Sequence, residues 1–259
     1  TNKCLNLIHL LYNFKMAITK NWFETWFSQC YYDILYQHRD EDEAAAFLDA
    51  LIGHLNPNPD AQILDAACGK GRHAIYLAEK GFDVTGIDLS ESNIREAKIA
   101  ENEHLSFFTL NMINPFRVNY FDFIFNFYTS FGYFENAKDD AQCIKSFAKG
   151  LKPGGKLVID FLNVFTTLQN LVEDEHKIIG ELKFDITKSY INGMISKKIV
   201  VQDKNKQYIF NEHVRALQLS NFEQYCSAAG LNIIDTFGNY HLQLFDKLHS
   251  ERLIIIAQK

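Results

Sequence analysis

Apolar residues at Ala44, Phe47, Leu48, Leu51 and Leu55 recur three and four positions apart. That spacing predicts an amphipathic helix, opened by Asp40 as N-cap, with Glu41, Asp42 and Glu43 complementing its dipole. Beyond a loop at 56–60, short apolar runs alternate with helical stretches. Ala61–Asp65, Phe82–Ile87, Leu105–Leu110, Tyr120–Phe127 and Lys156–Phe161 read as strands. His73–Lys80 closed by Gly81, Ser90 to about Asn102, and Ala137–Lys149 stopped by Gly150 read as helices. The Leu151–Gly155 stretch, with its Pro-Gly-Gly, reads as a turn. Strands alternating with helices predict βαβ units and a doubly wound parallel sheet with helices on both faces.

The period changes after about residue 164. Residues 178–202 are strand-like on either side of Asn192-Gly193, a strong hairpin signal, and a second turn at 203–206 precedes a further strand. A capping box at Ser220–Glu223 then opens a helix ending at Gly230. Leu231–Phe237 and Arg252–Ala257 close the α/β pattern. The expected division is an α/β domain over 39–163 and 220–259, a small antiparallel insertion over 164–219, and an N-terminal segment over 1–38. Residues 1–15 read as an upstream extension of Met16 and not as a signal peptide.

Composition narrows the function. A chain of 259 residues is long enough to bury a core without disulfides or metals. Its net charge of −6 argues against a nucleic-acid binder, which needs a basic face. The five cysteines, Cys4, Cys30, Cys68, Cys143 and Cys226, contain no CxxC pair, so zinc-site spacing is absent and a reducing, cytoplasmic setting fits. No apolar run reaches membrane-span length, so neither a membrane nor a nucleic acid is an expected partner; a small molecule is.

Gly69-Lys-Gly71, between a strand and a helix, can bring backbone close to a ligand at free helix N–H groups; an ordinary tight turn would also use these glycines. Asp65 precedes that turn. Asp88 ends the next strand, where a carboxylate can accept both ribose hydroxyls of a nucleoside. Trp22 to Tyr36 holds seven aromatic residues, suited either to a core or to a lid over a cationic ligand.

The series Asp65-Ala-Ala-Cys-Gly-Lys-Gly71, Val84-Thr-Gly-Ile-Asp-Leu-Ser90, Asn111-Met112, Phe121-Asp-Phe-Ile-Phe-Asn126 and Leu151-Lys-Pro-Gly-Gly155 resembles the class I S-adenosylmethionine-dependent methyltransferases. Phe127-Tyr-Thr-Ser-Phe-Gly-Tyr-Phe134 is similar to the branch containing glycine N-methyltransferase and the antibiotic-sugar N-methyltransferases. The resemblance implies a Rossmann-like fold, S-adenosyl-L-methionine as cofactor and a small-molecule acceptor methylated on N or O. It assigns Gly69 and Gly71 to the methionine part of the cofactor, with Asp65 and Ala67 in the same motif. It assigns Asp88 to the ribose, Leu89, Asn111 and Met112 to the adenine, Asn126 and Phe127 to the neighbourhood of the sulfonium, and Arg39 to the cofactor carboxylate.

Two positions depart from the family. Ala67 stands where glycine is usual, and Asn111 where an aspartate is common. Cys68 is expected to pack rather than attack, and His73 to be a surface or packing residue. Tyr128, Tyr133, His213 and His241 are candidate bases near the pocket rim, unranked. The competing expectations are a nicotinamide-dependent oxidoreductase of the same fold and an inactive cofactor-binding relative. The acceptor pocket is expected between the aromatic segment, the turn after the fourth strand and the inserted sheet.

Overall fold

The computed structural model describes residues 22–37, 41–134 and 136–259. Arg39, Asp40 and the extension at 1–15 lie outside them. Two short helices, α1 (Trp22–Trp26) and α2 (Cys30–Leu35), precede α3 (Glu41–Leu55). Then come β1 (Gln62–Ala66), α4 (Arg72–Glu79), β2 (Asp83–Asp88), α5 (Glu91–Ala97), β3 (Leu105–Thr109), β4 (Phe121–Asn126), α6 (Ala137–Gly150) and β5 (Leu151–Leu162). The remainder is α7 (Val164–Gln169), β6 (Asp174–Ile179), β7 (Leu182–Ile191), β8 (Met194–Asp203), β9 (Lys206–Arg215), α8 (Leu219–Ala228), β10 (Asn232–Phe237) and β11 (Arg252–Gln258).

The main sheet has the order β10-β11-β5-β4-β1-β2-β3. Its strands β1 to β5 are parallel, whereas β11 runs antiparallel to β5 and β10 antiparallel to β11. Strands β1 and β4 are almost wholly buried, because helices cover both faces and leave no polar side to alternate with. Phe47, Leu51, Ala74 and Leu77 of α3 and α4 pack on one face. Ile144 and Phe147 of α6 and Phe222 of α8 pack on the other. From β1 the chain winds outward to β3, then returns through β4 to β5. The switch point is therefore between the carboxyl ends of β1 and β4, where open α/β sheets place their ligands.

Several boundaries differ from the sequence expectations, and helix α7 has no counterpart among them. Helix α5 is shorter, its last turn tightening to a 3₁₀ turn at Lys98–Ala100. Strand β5 runs through the Pro-Gly-Gly rather than starting after it, with an irregularity in its pairing between Phe121 and Phe123. The insertion has an additional first strand, β6, whose alternation of half-buried and exposed positions carries little apolar signal. Helix α8 starts at Leu219, not at Ser220. Its cap is Gln218, whose N–H donates to Asn221 Oδ1 at 2.9 Å.

The insertion β6–β9 is a separate antiparallel sheet, with Asn192-Gly193 turning β7 into β8 as expected. Its inner face makes a third core with the N-terminal helices: Trp26 and Leu35 bury against Phe184, Ile186, Ile199 and Val201. Glu212 on β9 is the polar anchor of that core. It accepts from Trp26 Nε1 at 2.7 Å and from the Tyr36 hydroxyl at 2.8 Å, and pairs with Lys197 at 2.9 Å. The aromatic segment and the inserted sheet are thus one packing unit, not two independent pieces.

Candidate functional site

A cleft of about 650 Å³ opens at the switch point. Asp65, Ala67, Gly69, Asp88, Leu89, Asn111, Met112 and Phe127 all line it. Of the other expected site residues, Arg39 lies outside the described residues, and Gly71 and Asn126 sit behind the wall. Gly71 caps α4 at φ +87°, and a Cβ there would come within 2.6 Å of the Phe107 ring. Its glycine is demanded by helix-to-strand packing. Asn126 is fully buried and donates to Ala66 O at 2.9 Å, tying the end of β4 to the end of β1.

Gly69, at φ +56°, has no atom beyond its own chain neighbours within 4 Å of the position a Cβ would take. A side chain there would project into open space, where a ligand's path would lie. Ala67 has φ +61°, a left-handed conformation that an L-residue with a Cβ adopts at a cost. An alanine at this position therefore strains the turn.

Two acids face this turn. Asp88 Oδ2 accepts from Gly69 N at 2.9 Å and Oδ1 from Ser90 N at 2.8 Å, leaving lone pairs for hydroxyl donors. Burial pushes its carboxyl upward, with the Ser90 and Gly69 amides opposing. Asp65 is 1% exposed, and its Oδ2 has no hydrogen-bond partner. Burial, then the charge of Asp88, raises it to about 7. The Ala74 amide bonds this carboxyl, and its second oxygen, left without a partner on a cavity wall, suits a cationic ligand. Asn111 uses its Oδ1 on the Ile113 amide at 3.0 Å.

Cys68 is buried and its thiol is pushed well up, first by burial and then by Asp65 and Asp88, so it is not a thiolate nucleophile. Of the two expectations for His73, packing is the one the structure bears out. The residue is buried in the cleft wall, stacked on Tyr128 with ring centroids 5.3 Å apart, and burial lowers it to about 3. Among the four candidate bases, Tyr128 and Tyr133 line the cleft, whereas His213 and His241 do not. His213 bonds Ser196 at 2.9 Å and lies behind the Trp22 ring.

The aromatic segment supplies the outer wall. Phe27 stands 5.0 Å from Tyr32 and 5.5 Å from Tyr133, and Tyr32 is 4.9 Å from Tyr36. Lys70 of the glycine turn pairs at 3.0 Å with both Asp33 on α2 and Glu96 on α5, latching the wall to the turn. No residue of β6–β9 lines the cleft; the inserted sheet backs the aromatic wall instead. Sequence reasoning missed Lys70 and Asp33 as wall residues. Tyr128, expected near the rim from its position just after the fourth strand, does line the cleft.

Comparison with known proteins agrees with this geometry. Residues 64–159 match the family described as a methyltransferase domain. A protein of Geobacillus sp. (strain WCH70) named as a methyltransferase is 32% identical over 253 residues, 88% of this chain and 97% of that protein. A Bacillus subtilis (strain 168) protein with a methyltransferase name is 34% identical over 52% of this chain and 53% of its own length. The dTDP-3-amino-3,4,6-trideoxy-alpha-D-glucopyranose N,N-dimethyltransferase of Streptomyces venezuelae is 30% identical over 50% of this chain and 54% of that enzyme. The chain thus spans about half the length of these last two relatives. An S-adenosylmethionine-dependent methyltransferase from Clostridium acetobutylicum ATCC 824 shares the fold, with a TM-score of 0.76 at 22% identity over 88% of this chain and 95% of that one. With a glycine turn at the switch point of a seven-stranded sheet and a relative matching nearly end to end, the chain belongs to the methyltransferase family.

Proposed function

We propose that this protein moves a methyl group from S-adenosyl-L-methionine to the nitrogen of a small-molecule amine. The observation that carries the amine is that the contiguous rings of Phe27, Tyr32, Tyr36 and Tyr133 line the same cleft as the carboxylates of Asp139 and of Asp33, the latter paired with Lys70. Aromatic faces and carboxylates attract a cationic or partly cationic ligand. An amine binds there charged and reacts once neutral. A hydroxyl acceptor would need a base. His73, held near 3, is too weak for that at neutral pH, and burial pushes the Tyr128 hydroxyl upward.

The cleft fits the cofactor. Asp88 would hold the ribose hydroxyls, Leu89 and Met112 would pack on the adenine, and the space over Gly69 would admit the methionine part. Asp65, with its unpartnered Oδ2, would face positive charge. The cofactor supplies an electrophilic methyl on a cationic sulfur. The protein's share is to hold the acceptor in line, exclude water with the aromatic wall and place carboxylates where charge changes. The amino-sugar substrate of the Streptomyces relative makes amino sugars the first acceptors to try. A cytoplasmic setting belongs to the same reading, supported by the thiol form of Cys30, Cys68, Cys143 and Cys226.

The test is turnover. The protein, S-adenosylmethionine and a panel of amino sugars, amino acids and phenols would be assayed for S-adenosylhomocysteine release and for a methylated product by mass. Methylated amines support the proposal; turnover confined to the phenols overturns it.

A further inference from the structure

Past β4 and the single residue Phe127, Tyr128 and Thr129 have φ +55° and +60°. Two consecutive non-glycine residues in left-handed conformation persist only where their surroundings enforce them. Here one buried carboxylate does so. Asp160 of β5 is 0% exposed. Its Oδ2 accepts from the Tyr128 amide at 2.8 Å, and its backbone carbonyl accepts from the Thr129 amide at 3.0 Å. Arg252, the first residue of β11, closes the arrangement: Nε donates to Asp160 Oδ1 at 2.7 Å and a terminal nitrogen to Thr129 Oγ1 at 2.9 Å. The Tyr240 hydroxyl adds a bond to Asp160 Oδ2 at 3.2 Å.

The elbow held this way sets one wall of the cleft. The Tyr128 ring is fixed between His73, stacked at 5.3 Å, and Tyr240 at 5.5 Å, with the Arg72 guanidinium 5.0 Å from its centroid. Tyr128, His73 and Arg72 all line the cleft; Asp160, Arg252 and Tyr240 do not. Its own hydroxyl is buried without a hydrogen-bond partner. A buried ion pair that only joined β5 to β11 would not need to hold both amides and the hydroxyl of a strained turn.

The geometry points to Asp160 and Arg252 as a positioning pair: by clamping the Tyr128–Thr129 elbow they set the acceptor-side wall for methyl transfer, without touching cofactor or acceptor. The part about transfer rests on the amine methyltransferase reading; the part about the elbow does not. The variants are Arg252→Lys, which keeps the charge and loses the forked contact with Thr129, and Tyr240→Phe, which removes a single bond and guards against misfolding of the first. Crystal structures of both variants give the backbone at 128–129. Calorimetry gives S-adenosylhomocysteine affinity, and steady-state rates with an accepted amine give kcat and KM.

In Arg252→Lys the elbow is expected to leave the left-handed region and the Tyr128 ring to leave His73. Cofactor-product affinity should stay within about twofold, while kcat falls on the order of 10–100-fold, the scale expected when reacting groups are misplaced by about an ångström. Tyr240→Phe should show the same trend more weakly. Adding Thr129→Gly, which adopts a left-handed backbone unaided, should recover part of the lost kcat. An elbow unchanged in both variants overturns the clamp, whether or not an acceptor is known. A lowered melting temperature with unchanged kcat and KM overturns the positioning role and leaves a purely structural pair. If the wild-type protein methylates no amine, the functional reading fails while the elbow is still decided by the structures.

Discussion

At the level of single residues, Asp88 and Gly69 bear most directly on cofactor binding. Each Asp88 oxygen already accepts one backbone amide, so the carboxylate is fixed before any hydroxyl arrives. Charge-assisted bonds of this kind contribute roughly 1.5–3 kcal/mol. Asp88→Ala should accordingly weaken S-adenosylmethionine binding by about 10- to 100-fold in calorimetry, and unchanged affinity would refute the assignment. Gly69→Asn separates ligand space from backbone strain, because Asn tolerates left-handed φ better than other residues. It should keep the wild-type melting temperature within a few degrees while binding falls at least tenfold, a loss of about 1.4 kcal/mol. Ala67 offers the opposite case. Ala67→Gly should raise stability by about 0.5–1 kcal/mol in urea unfolding, since relief of left-handed strain exceeds the entropy glycine adds to the unfolded chain.

Among elements, the pairing of α1 and α2 with the inserted sheet changes what truncation would mean. Removing 1–38 would uncover Phe184, Ile186, Ile199 and Val201, so loss of turnover there could not be read as loss of a lid. Side-chain variants separate the roles. Trp26 is 1% exposed and bonded to Glu212, so Trp26→Ala should cost about 3–5 kcal/mol of stability in thermal or denaturant unfolding. Phe27 is only partly buried and faces the cleft; Phe27→Ala should instead raise the acceptor KM with a melting temperature near wild type. Equal destabilisation by both would make the whole segment core and remove its role as acceptor wall.

For the whole molecule, the buried acids shape stability against pH. Asp65 is raised to about 7 and Asp140, also by burial, to about 6, both above an unfolded value of about 4. The folded state therefore holds protons that the unfolded chain has released. The stabilisation is complete below about pH 4 and is lost as pH rises through the folded values. Buried His73, lowered to about 3, opposes this until the unfolded imidazole has lost its proton near pH 6.5, so urea midpoints of the ligand-free protein should fall most clearly between about pH 6.5 and pH 8. Asp65→Asn should show a shallower fall, with Asp140 supplying the remainder. Binding of the cationic cofactor beside Asp65 favours its ionised form, so affinity should increase over the same range.

The strands β1 to β5, their helices and the Gly-containing turn were legible from local pattern alone, since apolar runs, caps and turn residues act over a few positions. So were Asp65, Asp88 and Gly69, because a strand end followed by a glycine turn brings them to the switch point whatever surrounds them. Gly71 and Asn126 belonged to the same motifs, yet their places behind the wall depended on Phe107 and Ala66, supplied by β3 and β1. The aromatic run at 22–36 was visible as composition, but whether each ring became core or wall awaited its neighbours on β7 to β9. Asp160 and Arg252 gave no signal, being 92 residues apart in sequence and joined only when β5 pairs with β11. Local propensity and periodicity determine elements and the ends of strands. Burial, long-range ion pairs and enforced backbone strain arise from contacts between distant segments, and those exist only once the chain has folded.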